Sequence, residues 1–379
     1  MITQSLWELM QIVRVMVLIC FLPVLLYRIR RVVRYPTSIP AIAVTAFGVS
    51  VWFWMLLFTD WVWAVMPPYM HAVSIGGWAT VWMAACLQIF VIGISGDASQ
   101  VWIRRGLRVT LVVTGLVLVV VAIAVSRSRM LAASADIRTL TNVLLDGGDR
   151  GATFAALVSN GFLVLVLLQL AWVGLRHADR SPVGVGLGLL AAAALLQLVA
   201  ITMGGVLRPL SGGAQIGGDY GPLLQILPGC VGAVLMVVGF SWPPVVLRIQ
   251  ARRNERRLRP LHDEFVRLFP QLFPPMESRI CLSDRVFERG AHIQDGLTLL
   301  AQRNQVPLQT DALVPQDESG RALAVANWVV GQSVSEFSSE WLHAPVGLSD
   351  EVWVLAIADA YRHRVETWVG PEEKVCVSR

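Results

Sequence analysis

Lysine is nearly missing from this chain: Lys374 stands alone beside 30 arginines in 379 residues. Charge of either sign is scarce too, at 15% of residues, where soluble domains carry about 25%. That deficit excludes an ordinary soluble enzyme of this length. A hydrophobic share of 55% with mean hydropathy +0.61 excludes disorder. Five cysteines, at 20, 86, 230, 281 and 376, form no CxxC pair, so neither a zinc ribbon nor a disulfide framework is indicated. Three of them lie in apolar runs and read as small buried hydrophobes. There is no GxSxG, no P-loop and no GxGxxG followed by an acidic residue. The chain therefore lacks the backbone cradles that hold a catalytic serine or a nucleotide, and it does not read as an enzyme. Alternation of strands with helices is missing as well, which leaves an all-α reading.

What is present is long apolar sequence. About 20 apolar residues cross a hydrocarbon core. Seven runs reach or approach that length: 6–27, 41–59, 72–94, 109–126, 151–174, 182–205 and 222–247. The expected architecture is a seven-helix transmembrane bundle followed by a small cytoplasmic helical domain. Its parts are a transmembrane domain at 1–247, a basic juxtamembrane helix at 248–259 and an acidic helical domain at 260–379. The charge changes sign along the chain. Residues 1–259 hold 21 arginines and 9 acidic residues, whereas 260–379 hold 9 arginines, Lys374 and 17 acidic residues.

Orientation follows from the arginines between runs, because cytoplasmic connections retain positive charge. Connections on one side, with the tail to 259, carry 15 arginines, and those on the other side carry 5. This places the N-terminus outside and the C-terminus inside a plasma membrane. The first run is followed, not preceded, by its cluster Arg28, Arg30, Arg31 and Arg34. That order reads as an anchor rather than a cleaved signal. Gly204-Gly205, Gly212-Gly213 and Gly217-Gly218 read as permissive backbone in or near an outer connection.

Beyond Pro260 the apolar residues take helical spacing. Leu261, Phe265, Leu268 and Phe269 precede the breaks at Pro270 and Pro274-Pro275. A helix opening at Ser283 presents Val286, Phe287, Ile293, Leu297 and Leu300. Further helices are expected over 321–338 and 349–368.

Short motifs in this part carry a resemblance. RRLRPL at 256–261, LFP at 268–270, Arg285-Val286 and HIQDGL at 292–297 follow an arginine-flanked multi-span half. The arrangement resembles an actinobacterial membrane protein family of unknown function, whose members are commonly labelled transporters and end in an uncharacterised cytoplasmic domain. His262, His292 and Gln294 depart from that family's pattern. The resemblance implies gene neighbours of the helix-turn-helix regulator and zinc peptidase kind.

Candidate sites are few. Arg14 lies inside the first run and Asp60 ends the second. A charge at that depth is costly unless paired or able to reach the interface. Arg14 therefore either snorkels outward or anchors an outer-facing cavity with Asp60. Trp52, Trp54, Trp78 and Trp82 lie at similar depth and would line such a cavity, or pack helix against helix. Arg248, Arg252, Arg253, Arg256, Arg257 and Arg259 form the candidate lipid-contacting and coupling segment. The acidic domain behind them argues against nucleic acid as partner. His262-Asp263-Glu264 is similar to a kinase phosphoacceptor box, but the chain has no room for a nucleotide-binding domain. His262, His292, Asp295, His343 and His363 lack metal-ligand spacing, so neither metal nor cofactor is expected. The leading functional expectation is a membrane sensor that couples an outer signal to a cytosolic protein partner. The alternative is a transporter of a small apolar or amphipathic solute. No acidic residue near the centre of any run argues against proton coupling.

Overall fold

The computed structural model describes residues 4–34, 38–67, 70, 71, 74, 76–94, 100–128, 137, 140, 150–211, 221–270, 282–309, 314, 315 and 317–368. Every regular element among the described residues is helical. They are α1 (Gln4–Arg34), α2 (Ile39–Leu57), α3 (Asp60–Val65), α4 (Trp78–Ile94), α5 (Gln100–Ser126), α6 (Arg150–Arg176), α7 (Pro182–Ile201), α8 (Gly221–Leu268), α9 (Leu282–Arg303), α10 (Glu318–Val329) and α11 (Asp350–Trp368). A π-helical turn at Thr202–Leu207 extends α7 and passes into a short α-helical turn at Arg208–Leu210, and a 3₁₀ turn covers Ser339–Leu342. The glycine pairs at 212–213 and 217–218, and most of the 127–150 connection, lie outside the described residues.

Six of these helices are long and apolar enough to cross a membrane: α1, α2, α5, α6, α7 with its π turn, and α8. The third expected run yields α4, which has only 17 residues. It starts at Trp78 and not near residue 72 because Gly77 takes φ +90, a left-handed conformation that a helix interior does not hold. Pro40 and Pro182 stand in the first turns of α2 and α7, where a missing N–H costs nothing. Ser38 and Ser181 cap those turns, accepting from Ala41 N at 3.4 Å and Gly184 N at 3.0 Å.

The chain divides into two compact units, Met1–Pro243 and Pro244–Arg379. In the first, α4 packs against α2, α5 and α6, while α6 also packs on α7 and α1 lies on α2. Leu87, Phe90, Leu167, Leu170, Leu187 and Leu190 form its core. Lipid gives helices no hydrophobic reason to associate, so small residues that allow close approach carry the packing. A Cβ on Gly174 would stand 2.8 Å from the Leu187 carbonyl oxygen. One on Gly239 would stand 3.1 Å from that of Gly186. Large apolar side chains such as Leu111, Leu116, Leu165 and Trp172 point outward, as a lipid-facing surface requires.

The second unit is built on the polar end of α8, with α9, α10 and α11. Leu258, Leu261 and Phe265 repeat at helical spacing and meet Ile293, Leu297, Val325, Trp353 and Ile357 in one core. Helices α8 and α9 run parallel. Glu255 faces Arg285 and Arg289, His262 faces His292, and Phe265 fills the space over Gly296, where a Cβ would come within 2.6 Å of its ring. The basic juxtamembrane helix expected over 248–259 continues through Pro260 to Leu268. Pro260 withdraws one N–H from the ladder, and the carbonyl it would have served belongs to Arg256, on the exposed side of the helix. The helix expected at 321–338 is shorter: Gly331 takes φ +84 directly after α10, which ends at Val329.

Candidate functional site

Trp7, Gln11 and Arg14 lie at i, i+4 and i+7 on α1, so they share one face. All three present N–H groups to the corner between α2 and α3. The last carbonyls of a helix have no intrahelical partner. Arg14 Nη1 donates to one of them, the Phe58 oxygen, and Gln11 Nε2 reaches it at 3.3 Å. The Asp60 carboxylate accepts from Trp7 Nε1 at 3.2 Å and from Gln11 Nε2 at 3.0 Å. Arg14 also lies 5.8 Å from the centre of the Trp7 ring. Its charge is therefore held by a helix end and a neighbouring carboxylate, which makes its depth in the first span affordable.

Of the other expected members, Trp54 reaches this corner through Phe58. Trp52 Nε1 donates to the Leu18 carbonyl of α1 at 3.0 Å. Trp54 packs on Phe58, with ring centres 5.1 Å apart. Trp78 and Trp82 are 41% and 54% exposed on α4. No hydrogen bond or ring contact among the described residues joins either to Arg14, Asp60, Trp52 or Trp54. Arg14 and Asp60 share a corner, which Trp54 borders through Phe58.

Residues outside that expectation complete the corner. Trp7 and Trp63 are buried with Ile137 and Leu140, and Phe58 and Met66 pack against them. His71 stacks flat on Trp63, with ring centres 4.1 Å apart, and its Nε2 lies 2.8 Å from the Trp63 carbonyl oxygen. Spacing on α1 was the available signal for Trp7 and Gln11. A second signal was a lone amide within an apolar run. Asn160 donates to the Gly205 carbonyl at 3.0 Å and Gln197 to the Gly229 carbonyl at 2.9 Å. Gly205 lies in the π turn, whose widened ladder leaves carbonyls available to a neighbour.

At the opposite end of α1, Arg28 Nη2 donates to the Phe240 carbonyl at 3.3 Å. The residue four positions on is Pro244, which has no N–H to offer that oxygen. A side chain of α1 thus replaces a backbone bond that the double proline removes.

The six arginines of the coupling segment fall into two sets. Arg257 makes a two-pronged pair with Asp359, with Nε at 3.0 Å from both oxygens. Arg259 pairs with Asp263 at 3.5 Å. Arg248, Arg252, Arg253 and Arg256 are exposed, and 248, 252 and 256 lie one turn apart along a single stripe. The helix face opposite that stripe holds Leu258, Leu261 and Phe265 in the core. Among the histidines, the structure brings His262 and His292 together, 3.4 Å between Nε2 and Nδ1. No group of three metal-ligating side chains forms among the described residues.

No family model, curated protein or solved structure matches this chain.

Proposed function

We propose that the chain is a seven-span plasma-membrane sensor, with its N-terminus outside, whose C-terminal unit binds a cytosolic protein. One observation carries the reading. A single helix, α8, contains the last apolar segment and, further along, Leu258, Leu261 and Phe265 of the second unit's core. A stiff element shared in this way lets a bias at one end reach the other, which coupling requires. In this reading α4, whose 17 residues stand at the short end of the spanning range, is the seventh span. The corner of Trp7, Gln11, Arg14 and Asp60 with the Trp63–His71 stack is where an outer signal is received. The arginine stripe of α8 meets acidic lipid headgroups, each contact worth about 1 kcal/mol near the surface.

The test is a flexible Gly-Ser insertion after Arg253. The expected result is a folded membrane unit whose signal no longer changes partner binding by the second unit. A transporter, the alternative reading, would keep moving its solute after the same insertion. Partner binding that still follows the outer signal would exclude the sensor.

A further inference from the structure

His262 of α8 is buried, at 7% exposure, against His292 of α9. Their rings stack at 22° with centres 5.6 Å apart. A 3.4 Å separation between Nε2 and Nδ1 is a hydrogen bond when one nitrogen carries the proton and the other accepts it. When both rings are doubly protonated, two N–H groups and two positive charges face each other in a buried seam.

The surroundings sharpen that conflict. On α8, Asp263 is the nearest carboxylate, 3.6 Å from His262 Nδ1. It is more than half exposed and shared with Arg259. Glu255 is taken by Arg285 and Arg289 of α9, and Glu264 by Arg267. On α9, Arg289 stands one turn before His292 and adds positive charge, while Asp295 lies one turn beyond it in an exposed position. On α11, Asp359 is held by Arg257 and Arg362, and Tyr361 lies near Glu264 and Arg267. Burial pushes the His262 imidazole below its ordinary range. Arg289 and His292 add to that shift, against an opposing pull from Asp263.

We propose that the His262–His292 contact is a proton-operated lock on the seam between α8 and α9, closed when the pair carries at most one charge and opened by acid. It stands on the second unit alone and does not depend on the sensor reading. A group whose folded pKa is depressed favours the closed form above its unfolded value, and this advantage is lost as pH falls. The window therefore lies below about pH 6.5, the ordinary histidine value.

The experiment uses the full chain in lipid nanodiscs. Its native cysteines are replaced, and spin labels are attached at R256C and T298C. Double electron–electron resonance at pH 7.5 should give one narrow distance. At pH 5.0 a second, longer population should grow, its ratio to the first rising by up to about tenfold per pH unit for each proton taken up. His262→Phe keeps a ring in the seam and removes the titration, so its distance should be the same at both pH values. Should that variant not fold, His292→Phe serves the same purpose, and nitrogen-15 NMR of the labelled wild type reads the His262 pKa directly. A wild-type distance that ignores pH, opening that persists in both phenylalanine variants, or a His262 pKa above the ordinary value would each overturn the lock.

Discussion

Arg321 is held in the second unit by three backbone carbonyls. Its Nε donates to Trp341 O at 3.1 Å, and its Nη2 donates to His343 O at 2.7 Å and to Glu340 O. The guanidinium also lies 5.4 Å from the centre of the Trp353 ring. One side chain thereby fixes the 3₁₀ turn against α10 and α11. Arg321→Ala would leave buried carbonyls without donors and should cost about 2–4 kcal/mol. Arg321→Lys should recover little, because an ammonium neither forks to several acceptors nor stacks flat on an indole. Urea titration of the full chain, followed by near-ultraviolet dichroism, measures both. Nothing in the sequence around Arg321 announces this role, because every partner it bonds is backbone. Arg14 stood out because charge inside an apolar run is rare and costly, and Asp60 because it is the nearest acidic residue to end a run on the same side. The Arg257–Asp359 pair was not, since the partners are 102 residues apart and each looks like an ordinary helix-surface residue.

Among the elements, α8 shows best what a pattern reveals and what it hides. Its apolar first half and its later stripe of leucines and phenylalanine were visible as two periodic segments. Their fusion was hidden by Pro260, which can open or end a helical turn and is tolerated mid-helix here because the orphaned carbonyl is on the wet side. Pro243 and Pro244 are tolerated differently, at least in part by Arg28. Arg28→Leu should therefore destabilise the membrane unit by about 1–2 kcal/mol. Pro244→Ala restores the missing N–H, and in that background the loss of Arg28 should cost about 1 kcal/mol less, since the Phe240 carbonyl then has its own partner. Steric-trapping or detergent unfolding of the four variants completes the cycle. Equal costs in both backgrounds would mean that Arg28 acts elsewhere. The start of α4 was misplaced by the same kind of local cause: hydropathy does not register that Gly77 ends a helix direction.

At the scale of the whole chain, the membrane character was the most legible feature. Apolar length is a one-dimensional property, and six of the seven expected runs became helices long enough to span. The all-helical reading came from the lack of strand–helix alternation and from apolar run length, with helical periodicity added only beyond Pro260. Which side faces out depends on arginine placement relative to a bilayer, and it calls for a direct measurement. Single cysteines at positions 127 and 150 should react with an impermeant reagent on intact cells. Cysteines at 252 and 298 should react only after permeabilisation. External labelling at 252 or 298 would reverse the orientation and move the proposed partner to the opposite compartment.

The π turn at Thr202–Leu207 has a meaning in the language of insertions and deletions. A π turn holds one residue more than the α turn it replaces, so here the helix has absorbed an extra residue instead of expelling it into a loop. A chain one residue shorter at this place would carry a plain α-helix. Everything past the turn, beginning with Arg208, would keep roughly its place, because the widened turn itself takes up the extra residue. The Gly205 carbonyl would then bond within its own helix, and Asn160 would face an already satisfied ladder. A one-residue gap in an alignment here would therefore mark a relative that keeps the bundle and lacks the carbonyl that Asn160 bonds.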